Sequence, residues 1–143
     1  MKNEAMIEGV IVAGQPSDDE ICELSERGIT TLINVRLRQE LRDPEGPKAA
    51  AAGLEYVEVP FNGDTITFAD VHRVREALER APESSAIHCH GGTRAAVVAA
   101  IVAAERGGEG HQGALRRIGA AGFDVEGTAY HAFIERYFAR SRP

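Results

Sequence analysis

One short stretch of the sequence brings together a nucleophile, a pair of glycines and a permanently charged side chain. Residues 87–94 read IHCHGGTR, with four residues between Cys89 and Arg94. A cysteine thiolate is a strong nucleophile, and an arginine guanidinium binds oxyanions through a fixed fork of N–H donors. This combination predicts covalent chemistry on a bound anion, with Cys89 as the nucleophile and Arg94 as the anion ligand.

The segments that flank this stretch predict how it is held. The run SSAIHC at 84–89 has the pattern of a short buried strand, and residues 93–106 have that of a strongly apolar helix. The free N–H groups and the dipole at the start of a helix attract negative charge, which favours both a bound anion and a thiolate. Gly91 and Gly92 allow positive φ and a close approach of the backbone to a ligand.

The rest of the chain alternates between strand and helix patterns. Strands are predicted at 6–12, 29–35, 54–60 and 84–89, and helices at 17–28, 48–53, 67–80, 93–106, 110–121 and 128–140. Ser17 with Glu20, and Thr67 with Asp70, have the spacing of N-terminal helix caps. The alternation predicts an α/β layer fold with a mostly parallel sheet. Ligands of such sheets bind beyond the carboxyl ends of the strands, which is where Cys89 falls.

The composition narrows the class of protein. The chain has 143 residues, 43% of them hydrophobic, and a formal net charge of −6, which we interpret as a single domain over residues 1–143. We expect no nucleic-acid partner because no dense basic face is visible, and no membrane partner because no apolar run is long enough to span a bilayer. The absence of an apolar leader predicts a cytoplasmic protein with unpaired cysteines, in which Cys22 packs in the core.

Two histidines flank the cysteine and raise the alternative of a metal site. In an extended segment the side chains of His88 and His90 lie on one face and the sulfur of Cys89 on the other, which disfavours joint ligation. We therefore predict neither a metal nor a cofactor. His88 is expected to support the loop through hydrogen bonds, and His90 is expected to line the mouth of the pocket.

Three segments resemble one known family. They are IVAGQPSDDEICELSERGITTLINVR, AAAAGLEYVEVP and IHCHGGTRAA, and over roughly residues 7–105 the chain resembles the bacterial beta-lactamase-hydrolase-like phosphatase family. The resemblance implies a three-layer, phosphatase-like α/β fold in which helices flank a central, mostly parallel sheet of four or five strands. Through Cys89, Gly92 and Arg94, the loop is also similar to the active-site loop of rhodanese-like sulfurtransferases.

The resemblance to cysteine-dependent phosphatases implies a role for each residue of the site. Cys89 would attack a phosphate monoester to give a phosphocysteine, and Arg94 would stabilise the charge on the phosphoryl oxygens. Asp64, in the loop FNGDTI, is the expected general acid. The partner is expected to be a phosphorylated small molecule or protein. The other substrate-binding residues are expected to be Arg36, which follows the INV strand near Glu40, and the loop residues His90, Gly91, Gly92 and Thr93.

Three departures from the tyrosine phosphatase pattern keep two alternatives open. The loop has four residues between cysteine and arginine instead of five, Ala95 replaces a Ser or Thr, and Asp64 lacks the usual Trp-Pro neighbours. A shorter loop fits a single sulfur better than a phosphate, which favours sulfur transfer through a Cys89 persulfide, with a sulfur donor and acceptor as partners. The missing hydroxyl and the weak acid position favour an anion-binding regulatory module without catalysis.

Overall fold

The computed structural model describes residues 1–41 and 43–140, and within these ranges five strands form one sheet. The strands are β1 (Ala5–Ile7), β2 (Val10–Ala13), β3 (Thr31–Asn34), β4 (Glu55–Glu58) and β5 (Ser85–His88). Their order across the sheet is β1-β2-β5-β3-β4, with β1 antiparallel to β2 and the other neighbours parallel. The prediction of an α/β fold around a mostly parallel sheet is confirmed.

Six helices occur in the same described ranges, and a 3₁₀ turn at Arg38–Glu40 precedes the second of them. They are α1 (Asp18–Glu26), α2 (Gly46–Ala51), α3 (Phe68–Arg80), α4 (Thr93–Gly107), α5 (Gly110–Ala120) and α6 (Ala129–Ala139). At the start of α1 the Ser17 hydroxyl accepts from the Glu20 amide at 3.2 Å, and the Glu20 carboxylate accepts from the Ser17 amide at 2.9 Å. Thr67 and Asp70 make the same reciprocal pair before α3. Both predicted caps are confirmed, and they satisfy N–H groups that a helix start leaves free.

Helices cover both faces of the sheet. Side chains alternate along a strand, so Leu32 and Ile33 of β3 point to opposite faces. Leu32 packs in a smaller core that includes α1 and α2, whereas Ile33 packs in a larger core that includes α3, α4, α5 and α6. Every residue of α4 from Ala95 to Ala104 is buried, as its apolar sequence predicts. Among the described residues, no helix is long and apolar enough to cross a membrane.

Two expectations about the first thirty residues are wrong. Residues 6–12 do not form one strand, because the chain reverses at Glu8 and Gly9, whose φ values of 49° and 78° are both left-handed. This two-residue turn joins β1 to β2 as a hairpin. Cys22 is exposed and does not pack in the core. Its neighbour Ile21 lies on the buried stripe of α1, and a step of one residue around a helix turns the Cys22 side chain toward solvent.

The parallel strands deliver their carboxyl ends to one edge of the sheet. His88, the last residue of β5, is paired with Ala13 of β2 on one side and with Asn34 of β3 on the other. The amide of Cys89 then donates to the Ala13 carbonyl at 3.1 Å, and the amide of Val35 donates to the His88 carbonyl at 3.1 Å. The segments that follow β2, β3 and β5 therefore leave the sheet side by side.

Candidate active site

The sulfur of Cys89 is buried at the point where β5 ends and α4 begins, and the residue is only 1% exposed. The N–H of Gly92 donates to Sγ over 3.1 Å. The first hydrogen bond of α4 runs from the amide of Ala96 to the carbonyl of Gly92 at 2.9 Å, so the earlier amides of the helix have no acceptor inside it. The Gly92 amide and the N-terminal end of α4 therefore both lie at the sulfur, an arrangement that in general attracts anions.

The two glycines of the loop play different parts. Gly92 has a φ of 100°, and a Cβ at this position would lie 2.9 Å from Cζ of Phe123. Only glycine fits there without strain. Gly91 does not have a positive φ, and a Cβ there would meet no atom within 4 Å. Both glycines allow positive φ, but within the loop only Gly92 adopts it, because one left-handed residue is enough to turn the chain into α4. The Gly91 carbonyl instead accepts from Nδ2 of Asn3 at 2.8 Å.

Arg94 is held by a carboxylate from the turn after β3. Its Nη1 and Nη2 donate to the two carboxylate oxygens of Glu40 at 2.7 and 2.8 Å, and Nη1 also donates to the Phe61 carbonyl at 3.2 Å. Hydrogen bonds from Arg94 lower the pKa of Glu40 to about 2, against the opposing effect of burial and with help from the Leu37 amide. Within the described part of the chain, nothing accepts from Nε of Arg94. One edge of the guanidinium is therefore left for another anion.

Arg36 supports Glu40 rather than pointing freely into the site. Its Nη2 donates to the Glu40 carbonyl at 2.9 Å, and its Nε lies 3.5 Å from a Glu40 carboxylate oxygen. Its Nη1 donates to Oε1 of Gln15 at 2.7 Å. Arg36 and Glu40 therefore form an ion pair that lines the pocket beside the loop, and substrate binding by Arg36 stays a prediction.

His88 makes the loop-supporting contact, and its partner is a buried carboxylate. Nε2 of His88 lies 2.5 Å from a carboxylate oxygen of Glu45, whose side chain is only 3% exposed. The other oxygen of Glu45 accepts from Nε2 of Gln15 at 2.6 Å. Burial opposes ionisation of Glu45, but hydrogen bonds from His88, Gln15 and Tyr56 outweigh it and lower the pKa. Glu45 and Gln15 were not predicted to be site residues. Gln15 lies in the segment IVAGQPSDDEICELSERGITTLINVR, which resembles the family, whereas no local sequence pattern indicates a role for Glu45.

The remaining loop residues lie at the surface of the site. His90 is exposed, and its carbonyl accepts from the Gln15 amide at 3.2 Å. Thr93 is partly buried and begins α4. A pocket of about 320 Å³ opens beside the loop, and residues that line it include His90, Gln15, Arg36, Glu40 and Glu45. His90 therefore lines this pocket, and its part in substrate binding stays a prediction.

Asp64 lies in a tight turn three residues after Phe61, whose carbonyl accepts from Arg94. Oδ1 of Asn62 accepts from the amides of Asp64 and Thr65 at 2.9 and 3.0 Å, and the Asp64 side chain is exposed. Tyr130 of α6 packs against the same turn. Its ring is so close that a Cβ on Gly63 would lie 3.5 Å from it. The turn, rather than a hydrogen bond to the carboxylate, determines where Asp64 is presented.

Tyr130 is a further residue near the site that no sequence pattern predicted. Burial raises its pKa to about 12, the charge of Arg94 opposes this rise, and negative charges at Cys89, Glu40 and Asp64 add to it. The phenol of α6 therefore shares its electrostatic surroundings with the Cys89 loop. Among residues 1–41 and 43–140, no group of three His, Cys, Asp or Glu side chains is placed to hold a metal ion.

Comparison with known sequences identifies relatives over most of the chain. Residues 4–106 match the model of a family described as beta-lactamase hydrolase-like protein, phosphatase-like domain. The beta-lactamase hydrolase-like protein of Xylella fastidiosa strain Temecula1 is 35% identical over an alignment of 106 residues, and the alignment covers 71% of this chain and 25% of that protein. That of Agrobacterium fabrum strain C58 is 35% identical over an alignment of 102 residues, with coverage of 66% of this chain and 23% of that protein. The chain thus spans about a quarter of the length of these relatives.

Solved structures share the fold at low sequence identity. Tk-PTP in its active form superposes with a TM-score of 0.83 at 18% identity, covering 98% of each chain. A DUF442 protein of Shewanella putrefaciens CN-32 gives 0.82 at 17% identity, covering 100% of this chain and 93% of that one. P. aeruginosa TpbA in complex with pTyr gives 0.68 at 16% identity, covering 92% and 86%. These similarities confirm the phosphatase-like fold that the sequence predicted.

Proposed function

The chain belongs to the family of beta-lactamase hydrolase-like phosphatase domains, and from this premise we propose that it hydrolyses phosphate monoesters through a phosphocysteine on Cys89. One observation carries the proposal. The buried Cys89 sulfur accepts from the Gly92 amide at 3.1 Å, and the Arg94 side chain of the same loop is paired with Glu40. A nucleophile, amide donors and a fixed guanidinium are the parts that this reaction requires.

Substrate binding would use the donors that the protein itself leaves open. Glu40 takes one N–H from each Nη atom and the Phe61 carbonyl accepts from Nη1, so the Nε–H and the second N–H of Nη2 form the fork that binds two phosphoryl oxygens. The amides at the start of α4 bind the remaining oxygen. Both sets of donors are fixed before the substrate arrives, so they stabilise the charge of the transition state without reorganisation. Glu40 acts through Arg94 and is a positioning residue.

The covalent step begins with attack of the Cys89 thiolate on phosphorus, in line with the ester oxygen. The sulfur–phosphorus bond forms as the phosphorus–oxygen bond breaks, and the leaving oxygen takes a proton from Asp64. Asp64 then accepts a proton from water as that water attacks the phosphocysteine. The sulfur–phosphorus bond breaks, which releases inorganic phosphate and restores the thiolate. The turn at Asn62 leaves the Asp64 carboxylate exposed, so it would be free to meet the leaving group of a bound substrate.

The substrate class is a phosphorylated small molecule or protein. TpbA, which shares the fold, has been crystallised with phosphotyrosine. The pocket of about 320 Å³ beside the loop provides room for the part of a substrate that carries the phosphate. A phosphorylated residue or metabolite is of a size that such a pocket accommodates.

Sulfur transfer is the second candidate, and one observation favours it. Only four residues separate Cys89 from Arg94, and a loop this short encloses a single sulfur better than a tetrahedral phosphate. In this reaction the thiolate attacks the outer sulfur of thiosulfate, the sulfur–sulfur bond of thiosulfate breaks, and sulfite leaves. The Cys89 persulfide then passes its outer sulfur to cyanide, which yields thiocyanate and the thiolate. No general acid is required.

The experiment compares three forms of the protein on both reactions. Wild type, Cys89→Ser and Cys22→Ser are assayed for release of phosphate from an aryl phosphate and for formation of thiocyanate from thiosulfate and cyanide. Cys22 is an exposed cysteine away from the loop, so Cys22→Ser controls for the loss of a thiol. We expect phosphate release by wild type and Cys22→Ser but not by Cys89→Ser. Unchanged phosphate release by Cys89→Ser excludes the mechanism, and inactivity of wild type in both assays indicates a non-catalytic anion-binding module.

A further inference from the structure

A continuous chain of hydrogen bonds connects the residue before Cys89 to the guanidinium of Arg94. We call it the anchoring network, and its members, in order of contact, are His88, Glu45, Gln15, Arg36, Glu40 and Arg94. These side chains come from four separate parts of the sequence. The network meets the cysteine loop at both ends, once at the last residue of β5 and once in the first turn of α4.

Glu45 is the buried centre of one half of this network. Its carboxylate accepts from Nε2 of His88 at 2.5 Å and from Nε2 of Gln15 at 2.6 Å. A carboxylate only accepts, so His88 donates through Nε2. Nδ1 of His88 is buried and has no hydrogen-bond partner among the described residues. The orientation of the His88 ring therefore depends on Glu45.

The other half extends from Gln15 to Arg94. Oε1 of Gln15 accepts from Arg36 at 2.7 Å, and Arg36 in turn donates to the carbonyl of Glu40 at 2.9 Å. The Glu40 carboxylate then holds Arg94 at 2.7 and 2.8 Å. Each member of the anchoring network forms hydrogen bonds with the next member, so a displacement of one side chain alters the hydrogen bonds of its neighbours.

The burial of Glu45 is not explained by its place in the secondary structure. The residue is the N-cap of α2, yet its side chain makes no capping hydrogen bond. A carboxylate whose side chain is 3% exposed is costly unless its partners satisfy it. Those partners are residues next to the site rather than residues of α2.

We propose that Glu45 is a positioning residue that fixes the distance between the sulfur of Cys89 and the guanidinium of Arg94. It acts through His88 on the sulfur side and through Gln15, Arg36 and Glu40 on the arginine side. The kinetic consequence rests on the phosphatase function proposed above. The effect on the distance between Cys89 and Arg94 does not rest on that function, because the reaction of Cys89 with any anion that Arg94 binds depends on the same distance.

Alkylation measures this geometry without any phosphate ester. Iodoacetate carries a carboxylate that binds Arg94 and a methylene that Sγ attacks, so that a sulfur–carbon bond forms and iodide leaves. Neutral iodoacetamide undergoes the same substitution without the anion contact. The ratio of the two rate constants therefore reports the placement of Arg94 relative to Cys89, whereas a general loosening of the loop changes both rates together. The measurement is made in the Cys22→Ser background, in which Cys89 is the remaining thiol.

The decisive comparison is a double-mutant cycle between Glu45→Gln and Glu40→Gln, with thermal unfolding of every variant as a check on the fold. We expect Glu45→Gln to lower the iodoacetate-to-iodoacetamide ratio about tenfold. Because both residues belong to one network, the ratio in the double variant should fall no further than about the larger of the two single reductions. Glu45→Asp retains the charge and should recover part of the ratio, which also decides the question if Glu45→Gln does not fold. Glu58→Gln removes an exposed carboxylate paired with Arg38 and serves as the matched control.

Two results overturn the proposal. The first is an iodoacetate-to-iodoacetamide ratio in Glu45→Gln equal to that of wild type. The second is a double variant whose loss in this ratio equals the product of the two single losses, as expected for independent residues. If wild type hydrolyses no phosphate ester, the proposed function fails, but the alkylation cycle still decides the role of Glu45. Where turnover is present, kcat should fall in Glu45→Gln more than KM changes.

Discussion

Arg94 and Glu40 form a two-point ion pair with distances of 2.7 and 2.8 Å, although 54 positions separate them in the sequence. The pair connects the turn after β3 to the first turn of α4. It satisfies the two Nη atoms of a side chain that is only 13% exposed, and it fixes the direction in which the rest of the guanidinium points. The anion binding that we propose for the Cys89 loop would therefore depend on a residue outside that loop.

Loss of the Glu40 charge should weaken both stability and activity. Glu40→Gln leaves the Arg94 guanidinium without its ionic partner, so we expect a loss of about 2 kcal/mol in the free energy of unfolding. A fall of about 10-fold or more in kcat/KM should accompany it, because Arg94 is no longer oriented. Denaturant titration and steady-state kinetics measure the two effects. Equal values for wild type and Glu40→Gln would contradict the role assigned to the pair.

The same pair predicts a pH dependence with a defined sign. The pKa of Glu40 is lowered from 4.5 to about 2 in the folded protein, so its contribution to stability is fully present above pH 4.5. That contribution is lost as the pH falls from 4.5 toward about 2. The stability difference between wild type and Glu40→Gln should therefore shrink across this range. A difference that grows on acidification would contradict the ion pair.

The two glycines of the loop offer a matched pair of substitutions. Gly92→Ala places a Cβ at a φ of 100° and 2.9 Å from the Phe123 ring, and it should destabilise the protein by about 2–4 kcal/mol. Gly91→Ala meets no atom within 4 Å and should change stability by less than about 1 kcal/mol. Thermal or denaturant unfolding of both variants tests this. Equal effects of the two substitutions would show that the loop geometry is different.

Arg94→Lys keeps the charge and removes the fork. A lysine ammonium cannot pair with both oxygens of Glu40 and also bind two phosphoryl oxygens side by side. We expect kcat for phosphate-ester hydrolysis to fall about 100-fold or more. Arg106→Lys, in the last turn of α4 and away from the loop, is the control and should retain activity. Wild-type kcat in Arg94→Lys would mean that the guanidinium does not bind the transition state.

The role of Asp64 is tested with leaving groups of different basicity. Asp64→Asn should lower kcat about 100-fold for an alkyl phosphate, whose leaving oxygen requires a proton. The loss should be much smaller for an aryl phosphate with an acidic phenol. Asp19→Asn removes another exposed carboxylate, on α1, and serves as the control. The same loss on both substrates would assign proton donation to another group.

Much of this architecture could be predicted because local patterns determine it. The capping boxes at Ser17 and Thr67, the buried strand that ends at His88 and the apolar α4 each follow from a few neighbouring residues. The carboxyl ends of parallel strands meet at one edge, so the place of Cys89 beside Arg36 also follows from the strand order. The turn at Glu8 and Gly9 was missed because it lacks the usual Asn-Gly or Asp-Gly sequence.

The partners of the site could not be predicted, since they depend on long-range packing. Glu45 lies 43 positions before His88, in a polar segment that reads as an ordinary loop. Tyr130 belongs to α6, outside the residues that match the family, and reaches the site only because α6 packs over the turn at Gly63. A periodic pattern indicates that a helix has a buried face. It does not indicate which loop that face will contact.

Trapping the covalent intermediate tests the central claim most directly. Wild type and Cys89→Ser are mixed with an aryl phosphate, quenched in acid within milliseconds and analysed by mass spectrometry of the peptide that contains residue 89. The account predicts one added phosphoryl group on the peptide that contains residue 89 in wild type and none on the same peptide in Cys89→Ser. Turnover of the phosphate ester without a phosphoryl group on Cys89, or undiminished turnover by Cys89→Ser, would contradict it.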